Sequence, residues 1–376
     1  MIPPSTTGSP PHSRIPAAFP SAAGYRVIQA DIERDREAIL DVWRRNLAEY
    51  FTPGQENAKF AWYYQNNPYG SGRCWLLLKT PGDHVIGATG LGLRRISIAG
   101  TPQLVGLASD LAVDREHRTL LPALMLQRAA LTSLQKDLAF IYGLPNPKAT
   151  SVLHRVGYQS PGSLVRYAKV LNLERYLQNI GPLRLLARGA AAVLNPALRL
   201  ASAETWRRPC NHNLCELPQF DDRFDDLWQR ASSASPLIGH RTREFLRWRY
   251  TQCPLLQYRI LALLDQHQDR LLGYLVCYNA NPHELTIADI LADGPQRTLD
   301  DLLAQSISFA RTHRFHVVYC RLFGSPRMQE LLARFGFRRR QAETPLVIAL
   351  GRDGSPSLSA DQIQQWHFLL GDEDCN

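Results

Sequence analysis

The sequence predicts an α/β protein built from two tandem copies of one unit, each a mixed, mostly antiparallel twisted sheet flanked by helices. The motif W-x-Y-x-x-x-P begins at Trp62 and occurs again at Trp248. Each copy precedes an apolar run and then a strand-like segment with a glycine, and these glycines, Gly87 and Gly273, are separated by the same offset as the tryptophans. Repeats at a constant offset indicate duplication of a structural unit.

The second part of each unit repeats at a different but equally constant offset. Three pairs of matches share this second, slightly shorter offset: Asp110 and Asp289, Arg118 and Arg297, Gly157 and Gly336. A single short deletion in the second copy explains the change of offset. It falls between two predicted strands, where a hairpin can shorten without disturbing the core. The two units are therefore expected to superpose as separate sheets.

The order of elements within the first unit is β-α-β-β-β-α-β-α-β. Alternation of polar and apolar residues predicts strands, and apolar spacing of three or four residues predicts helices. The predicted strands are 25–31, 74–79, 84–98, 104–113, 140–144 and 163–171. The predicted helices are 35–50, 120–135 and 147–158, the last ending at Gly157, a residue suited to a left-handed stop.

Two segments carry a resemblance to a known superfamily. In VDREHRTLLPALML (113–126), three residues occupy the defined positions of the pattern (Q/R)-x-x-G-x-(G/A): Arg118, Leu121 and Ala123. In PNPKATSVLHRVGY (145–158), four residues match an N-x-x-A segment that ends in G-F: Asn146, Ala149, Gly157 and Tyr158. Together with the order of elements, these segments resemble the GNAT superfamily of acyl-CoA-dependent N-acyltransferases, over 25–171 and 211–350.

The resemblance implies acetyl-CoA or another acyl-CoA as co-substrate, its pyrophosphate held by backbone N–H groups where a loop enters a helix. The residues it implies for this site are Ala112, Val113, Arg118, Thr119, Leu120, Leu121, Ala123 and Asn146. Leu121 replaces a glycine, and Pro122 lacks an N–H donor. In the second unit Asp300 and Asp301 would repel phosphates. The first unit is therefore expected to hold the co-substrate, and the second to be a degenerate copy.

Asp110 is the predicted proton acceptor for the amine, because it lies on the fourth strand, where several members of the superfamily place the base. The alternative is that Asp110 only ties this strand to its neighbours. The usual acid of the superfamily, a tyrosine, is replaced by Leu153, and the adjacent His154 points about 100° away on a helix. No metal is predicted, since Cys210, His212 and Cys215 lack a second pair of ligands nearby.

Composition excludes several classes of protein. The 376 residues are 45% hydrophobic and 20% charged, which is globular composition, and no apolar run reaches the roughly 20 residues of a spanning helix. A net charge of +9 favours anionic partners without choosing among them, and no nucleic-acid-binding motif occurs. Seven scattered cysteines predict a reducing cytoplasm and no disulfide framework.

The predicted segments are a disordered tail (1–24), the first domain (25–171), a helical linker (172–210), the second domain (211–350) and a C-terminal tail (351–376). Linker residues 181–201 are rich in leucine, alanine and arginine and contain no acid. They are either a helix broken near Pro196 and packed across both domains, or a basic amphipathic face resting on the inner membrane. The C-terminal tail resembles an ending found in two-unit GNAT proteins of bacterial polysaccharide pathways.

The resulting functional hypothesis is transfer of an acyl group, acetyl by preference, from CoA to a small-molecule amine such as an amino sugar or a cell-envelope intermediate. One alternative is the related class with paired domains that uses charged tRNA as donor, although nucleic acid is not the expected partner. Another is a protein that has lost CoA binding and serves as an assembly partner. The sequence leaves the oligomeric state open.

Overall fold

A computed structural model describes residues 24–174, 177, 187–207, 211–265, 269–351 and 358–374. Apart from Gly24, the predicted disordered tail over 1–24 lies outside the described residues, as does Cys210 of the cysteine and histidine cluster. Among the helices that the structure describes, none has the length and apolar character needed to cross a membrane.

Within the described residues, six strands and five α-helices of the first half and the linker have defined bounds, apart from short 3-10 and π turns. The strands are β1 (Tyr25–Ala30), β2 (Arg73–Lys79), β3 (His84–Ile98), β4 (Thr101–Val113), β5 (Phe140–Gly143) and β6 (Gln159–Val170). The helices are α1 (Arg36–Asn46), α2 (Gln55–Phe60), α3 (Leu120–Leu131), α4 (Pro147–Arg155) and, in the linker, α5 (Ala187–Leu200).

The second half repeats this order and adds a C-terminal extension. Its strands are β7 (His212–Leu217), β8 (Leu237–Gly239), β9 (Tyr258–Asp265), β10 (Leu271–Asn281), β11 (Glu284–Ala292), β12 (Val317–Phe323), β13 (Arg338–Leu350) and β14 (Phe368–Leu369). Its helices are α6 (Asp222–Ala231), α7 (Arg243–Leu246), α8 (Gln296–Thr312), α9 (Pro326–Arg334) and α10 (Ala360–Gln364).

The sheets of the two halves are joined into one, so the expectation of separate sheets is wrong. The strand order is β1-β2-β3-β4-β5-β13-β6-β12-β11-β10-β9-β7. Each half gives its last long strand to the other: β13 pairs with β5, and β6 pairs with β12. These two exchanged strands also pair with each other, antiparallel, at the centre. A strand edge accepts any strand of suitable pattern, and the two halves carry equivalent edges.

The predicted equivalence of the two halves is confirmed by strand register. Gly87 of β3 lies opposite Val113 of β4, and Gly273 of β10 lies opposite Ala292 of β11. The only parallel pairs among the described strands are β4 with β5 and β11 with β12. Both halves therefore place a parallel strand pair at the same position in an otherwise antiparallel arrangement.

The predicted break of the linker helix is wrong, because α5 runs without interruption through Pro196. A proline removes one N–H and with it one hydrogen bond to the carbonyl four residues earlier. Here that residue is Ala192, which is exposed, so water can solvate the freed carbonyl. The helix therefore continues to Leu200.

The recurring aromatic residues lie in a core shared by both halves. Trp62 and Tyr64 belong to the same buried apolar cluster as Trp248 and Tyr250. The two tryptophan rings stack with their centroids 4.9 Å apart. The repeated motif therefore has a packing role, and this packing joins the halves.

Candidate functional site

A bulge in β4 opens the sheet of the first half. Ala88 of β3 pairs with Ala112, but Gly90 pairs with Ser109, so Asp110 and Leu111 lie opposite a single residue of β3. Asp110 has a φ of 56°, in the left-handed region. A bulge bends its strand and changes the direction of the side chain it carries. This one places Asp110, the predicted proton acceptor, just beyond the last residues that pair β4 with β5.

Beyond this point β4 and β5 diverge and enclose a cleft. Their pairing covers Gly106 to Ala108 on β4 and ends at Gly143 on β5. The cleft has a cavity of about 260 Å³. Its wall is formed by Leu47, Tyr50, Phe51, Ala108, Ser109, Asp110, Leu111, Gln127, Gly143, Leu144, Pro145, Asn146, Ala149, Leu153 and Asp374. Apolar side chains predominate, and a small number of polar groups converge on the same space, as in small-molecule sites.

Asp110 is buried and already engaged by two partners. Its Oδ1 is 2.7 Å from Lys59 Nζ, and its Oδ2 accepts a hydrogen bond of 2.6 Å from the Tyr64 hydroxyl. The Lys59 side chain is fully buried. Burial, with the Asp110 charge, raises the pKa of Tyr64 well above its usual range, so the hydroxyl stays a donor. Tyr64 lies directly over Gly90, where a Cβ atom would overlap its hydroxyl.

The structure divides the predicted co-substrate residues into two groups. Asn146 lines the cavity together with Asp110, and its Oδ1 accepts a 2.9 Å hydrogen bond from Ala149 N at the start of α4. The others lie outside the cavity wall, at the end of β4 and the beginning of α3: Ala112, Val113, Arg118, Thr119, Leu120, Leu121 and Ala123.

The first turn of α3 contains no acidic residue, and Thr119 makes no side-chain capping bond there. Arg118 is held close by: its Nε donates to Val113 O at 2.8 Å and its Nη2 donates to Asn46 Oδ1 at 2.9 Å. Uncapped N–H groups and the helix dipole give this turn a positive potential, and Arg118 adds a full charge. The turn can therefore hold an anion such as a pyrophosphate.

The residues equivalent to the first turn of α3 lie in the second turn of α8, because α8 begins at Gln296, and they are engaged in ion pairs. Asp300 accepts hydrogen bonds from Arg207 and Arg334, and Asp301 is paired with Arg207 and His212. Burial alone would raise the pKa of Asp300, but the hydrogen bonds from Arg334, Gln296 and Arg207 hold it below its usual value. Phosphates at these positions would therefore meet two carboxylates inside the helix and not its N-terminal N–H groups.

The second cleft, between β11 and β12, is partly filled by the chain itself. Here β14 pairs with the end of β12, Leu369 opposite Leu322, and the preceding His367 donates its Nε2 proton to Ile290 O at 2.9 Å. A cavity of about 300 Å³ remains beside it. The counterpart of Asp110, Asp289, is fully buried and paired with Arg241 Nε at 2.8 Å. The C-terminal segment thus occupies part of the second cleft.

The same C-terminal segment reaches the first cleft. The Arg249 side chain donates to Leu370 O at 2.9 Å and to Gly371 O at 3.0 Å. From the first half, the Tyr142 hydroxyl donates to Asp372 O at 2.8 Å. These bonds fix the chain so that Asp374 forms part of the cleft wall.

Of the predicted site residues only Asp110 and Asn146 lie in the wall, and among the residues that sequence reasoning missed are Asp374 and Gln127. The tail was noted only for its resemblance, and nothing in its pattern shows where it lies. Gln127 is buried on the inner side of α3, among apolar neighbours. Its Nε2 donates to Thr89 Oγ1 at 2.9 Å, whereas its Oε1 has no hydrogen-bond partner. A polar residue among apolar neighbours at helical spacing was the available signal. His154 is exposed and does not line the cavity.

No family model matches the chain, and no curated protein matches it in sequence. Solved structures do match it. A conserved Enterococcus faecalis protein described as a probable N-acyltransferase has a TM-score of 0.62 at 11% identity, covering 88% of this chain and 73% of its own. Saccharomyces cerevisiae N-myristoyltransferase with bound myristoyl-CoA has a TM-score of 0.57 at 12% identity, covering 94% and 90%.

A tandem GNAT protein from the clavulanic acid biosynthesis pathway has a TM-score of 0.51 at 14% identity, covering 89% of this chain and 99% of its own. The fold is therefore that of the GNAT-type N-acyltransferases. In particular, it is a tandem GNAT fold, in which two such units share one sheet.

Proposed function

We propose that the protein is an acyl-CoA-dependent N-acyltransferase, acetyl being the preferred group, that acts on an amine through the cleft of the first half. The observation that supports this most strongly is the contrast between the two clefts. Both retain a cavity, but the first has the carboxylates Asp110 and Asp374 in its wall, whereas the second is partly occupied by the chain's own β14. A degenerate second copy explains that contrast.

The residues of the first cleft fit an acyl-CoA. Gln127 Oε1 is a buried acceptor without a partner in the cavity wall, suited to an amide N–H of the pantetheine arm. The first turn of α3 and Arg118 would hold the pyrophosphate, and Ala112 and Val113 would flank the arm. When bound, acyl-CoA supplies an activated thioester. The cavity of about 260 Å³ favours a short acyl group.

Transfer requires an uncharged amine, and so a group that takes its proton. Asp110 is the acceptor predicted from the sequence, but Lys59 and Tyr64 already bind both of its oxygens. We propose that Asp374 takes the proton and that Asp110 holds the β4 bulge in place. With Leu153 at the position of the usual acid, the thiolate leaves without a dedicated donor from α4.

The acceptor that we propose is a small amine, an amino sugar or another cell-envelope intermediate of polysaccharide biosynthesis. This class is supported by the resemblance of the C-terminal tail, whose residues form part of the cleft here. An acceptor attached to a lipid would also be compatible with contact between the linker and the inner membrane.

Isothermal titration of the full chain with acetyl-CoA, octanoyl-CoA and free CoA tests the proposal. We expect one site per chain, with acetyl-CoA binding at least as tightly as octanoyl-CoA. Absence of binding by every CoA species at millimolar concentration would contradict the proposal and support a non-catalytic assembly role. Binding of aminoacyl-tRNA in place of acyl-CoA would support the tRNA-dependent alternative.

A further inference from the structure

The linker helix α5 presents an apolar face to solvent. One side of the helix packs on the protein: Ala191 is buried, and the Asn195 side chain binds Leu173 N at 2.9 Å and Asn172 Oδ1 at 3.0 Å. Because successive residues turn by about 100° around the helix axis, Val193 and Leu200 lie on the opposite side. Their exposed fractions are 74% and 57%. The helix is thus apolar on the side where a surface helix is normally polar.

Trp206 extends this apolar surface beyond the end of the helix. It is 71% exposed, and its indole N–H donates to Leu200 O. This bond places the tryptophan beside the last turn of α5 and satisfies its one polar group inside the protein. Leu194 adds a further exposed side chain, at 44%. Below, Val193, Leu194, Leu200 and Trp206 are called the outer patch.

The linker sequence around α5 is cationic. Residues 175–203 contain four arginines and no acidic residue. The first acid after them, Glu204, is turned inward, with Glu204 Oε2 3.2 Å from Lys169 Nζ and Glu204 Oε1 3.0 Å from Arg311 Nη2. Arg199, in the last turn of α5, is exposed beside the outer patch. An apolar patch on a segment of cationic sequence is complementary to an anionic surface.

We propose that the outer patch docks on an anionic lipid surface. An amphipathic helix with an apolar face and flanking arginines lies in the plane of such an interface, and an exposed tryptophan is typical of it. A second copy of this chain is a poorer occupant, because a symmetric contact would bring together two segments whose sequences carry the same charge. The lipid headgroups supply the opposite charge and the acyl chains the apolar contact.

Vesicle flotation of the full chain tests this surface independently of any acyl-CoA chemistry. We expect binding to vesicles of phosphatidylethanolamine in which about a third of the lipid is anionic phosphatidylglycerol. Binding to vesicles of phosphatidylcholine alone should be at least tenfold weaker, and high salt should weaken binding to the anionic vesicles. The double variant Val193→Asp, Leu200→Asp should lose at least tenfold in binding. The matched control Leu256→Asp changes a half-exposed leucine in the loop before β9 and should bind as the unaltered chain does.

Circular dichroism and the melting temperature establish whether each variant is folded. Trp206→Ser, a single substitution, provides a milder change of the outer patch. The proposal is overturned if the unaltered chain does not bind the anionic vesicles, or if the folded double variant binds them equally well. It is also overturned if light scattering shows a dimer that the double variant abolishes and vesicle binding is absent, since the occupant is then a second copy.

Discussion

Trp62 and Trp248 exchange hydrogen bonds: Trp62 Nε1 donates to Trp248 O at 2.7 Å, and Trp248 Nε1 donates to Trp62 O at 2.9 Å. The two residues are equivalent in the duplicated sequence, so each half satisfies a buried indole of the other by the same contact. The stacked pair lies in the core cluster common to both halves. This reciprocity requires the two halves to be assembled before either tryptophan is satisfied.

Replacing one of these tryptophans with phenylalanine should destabilise the whole chain. Trp62→Phe keeps an aromatic ring in the stack but removes the indole N–H that donates to the buried carbonyl of Trp248. Trp248→Phe likewise removes the donor to the carbonyl of Trp62. Each change should lower the free energy of unfolding by about 1–3 kcal/mol. Urea denaturation followed by circular dichroism measures the effect, with Trp206→Phe as the exposed control. Unequal effects of the two buried substitutions would contradict the reciprocal arrangement.

The exchange of β6 and β13 predicts that the halves do not fold alone. A fragment of residues 1–171 lacks β13, which lies between β5 and β6, and a fragment of 211–376 lacks β6 beside β12. Expressed separately, each fragment should be insoluble or unfolded by circular dichroism, because β5 in the first fragment and β12 in the second have an unpaired edge. Co-expression should recover a soluble complex. Two independent melting transitions in the intact chain would contradict this prediction.

Charge reversal at the start of α3 should weaken acyl-CoA binding. Arg118→Glu places a carboxylate beside the proposed pyrophosphate site, where a charge-assisted contact contributes about 1.5–3 kcal/mol, or roughly 10- to 100-fold in affinity. Arg297→Glu is the matched control, since Arg297 occupies the equivalent position of the second half and its side chain is 63% exposed. Titration with acetyl-CoA compares the two. A larger loss with Arg297→Glu would place the site in the other half.

Gln127→Met should separate binding from stability. Methionine is similar in length but has no strong acceptor, so it removes Oε1 from the cavity wall. We expect acyl-CoA affinity to fall about 3- to 10-fold, the loss of one hydrogen bond. Removal of Oε1, which has no partner, favours stability, whereas loss of the bond to Thr89 Oγ1 opposes it, so the melting temperature should change little. A lower melting temperature with unchanged affinity would show that Gln127 has only a structural role, through Thr89.

The two carboxylates of the cleft should respond differently to conversion to amides. Asp374→Asn should lower the transfer rate on the order of 10²–10⁴-fold and leave acyl-CoA binding nearly unchanged. Asp110→Asn breaks the buried ion pair with Lys59, which costs about 3–5 kcal/mol of stability. Release of CoA thiol with a panel of amines, and with water as the weakest acceptor, measures the rate.

A folded Asp110→Asn protein that binds acyl-CoA but is inactive would restore Asp110 as the proton acceptor. Full activity of Asp374→Asn across pH 6–9 would exclude Asp374 from that role. Asp289→Asn is the matched control in the second half, and its transfer rate, measured on folded protein, should stay within a few-fold of the unaltered chain's.

Local pattern in the sequence was sufficient for the elements and for the duplication. Matches at two constant offsets predicted equivalent positions for Asp110 and Asp289, and each lies three residues before the partner of Gly87 or Gly273 on the next strand. The register differs locally, because Asp110 lies in the bulge whereas Asp289 pairs with Val276. Hydrophobic periodicity reports which face of an element is buried, and it does so within a window of a few residues. The resemblance to the GNAT superfamily predicted that Asp110 lies on the fourth strand, and the bulge in β4 accounts for its position where β4 and β5 diverge.

Only the tertiary structure decided which partners those elements take. β6 and β13 have equivalent positions and similar patterns, so either can complete either half, and the exchange depends on the course of the whole chain. The same holds for the C-terminal segment, which pairs with β12 and places Asp374 in the wall of the other cleft. Hydrogen-bond ladders and clefts join residues that are far apart in the chain, and periodicity within one segment carries no information about its distant partner.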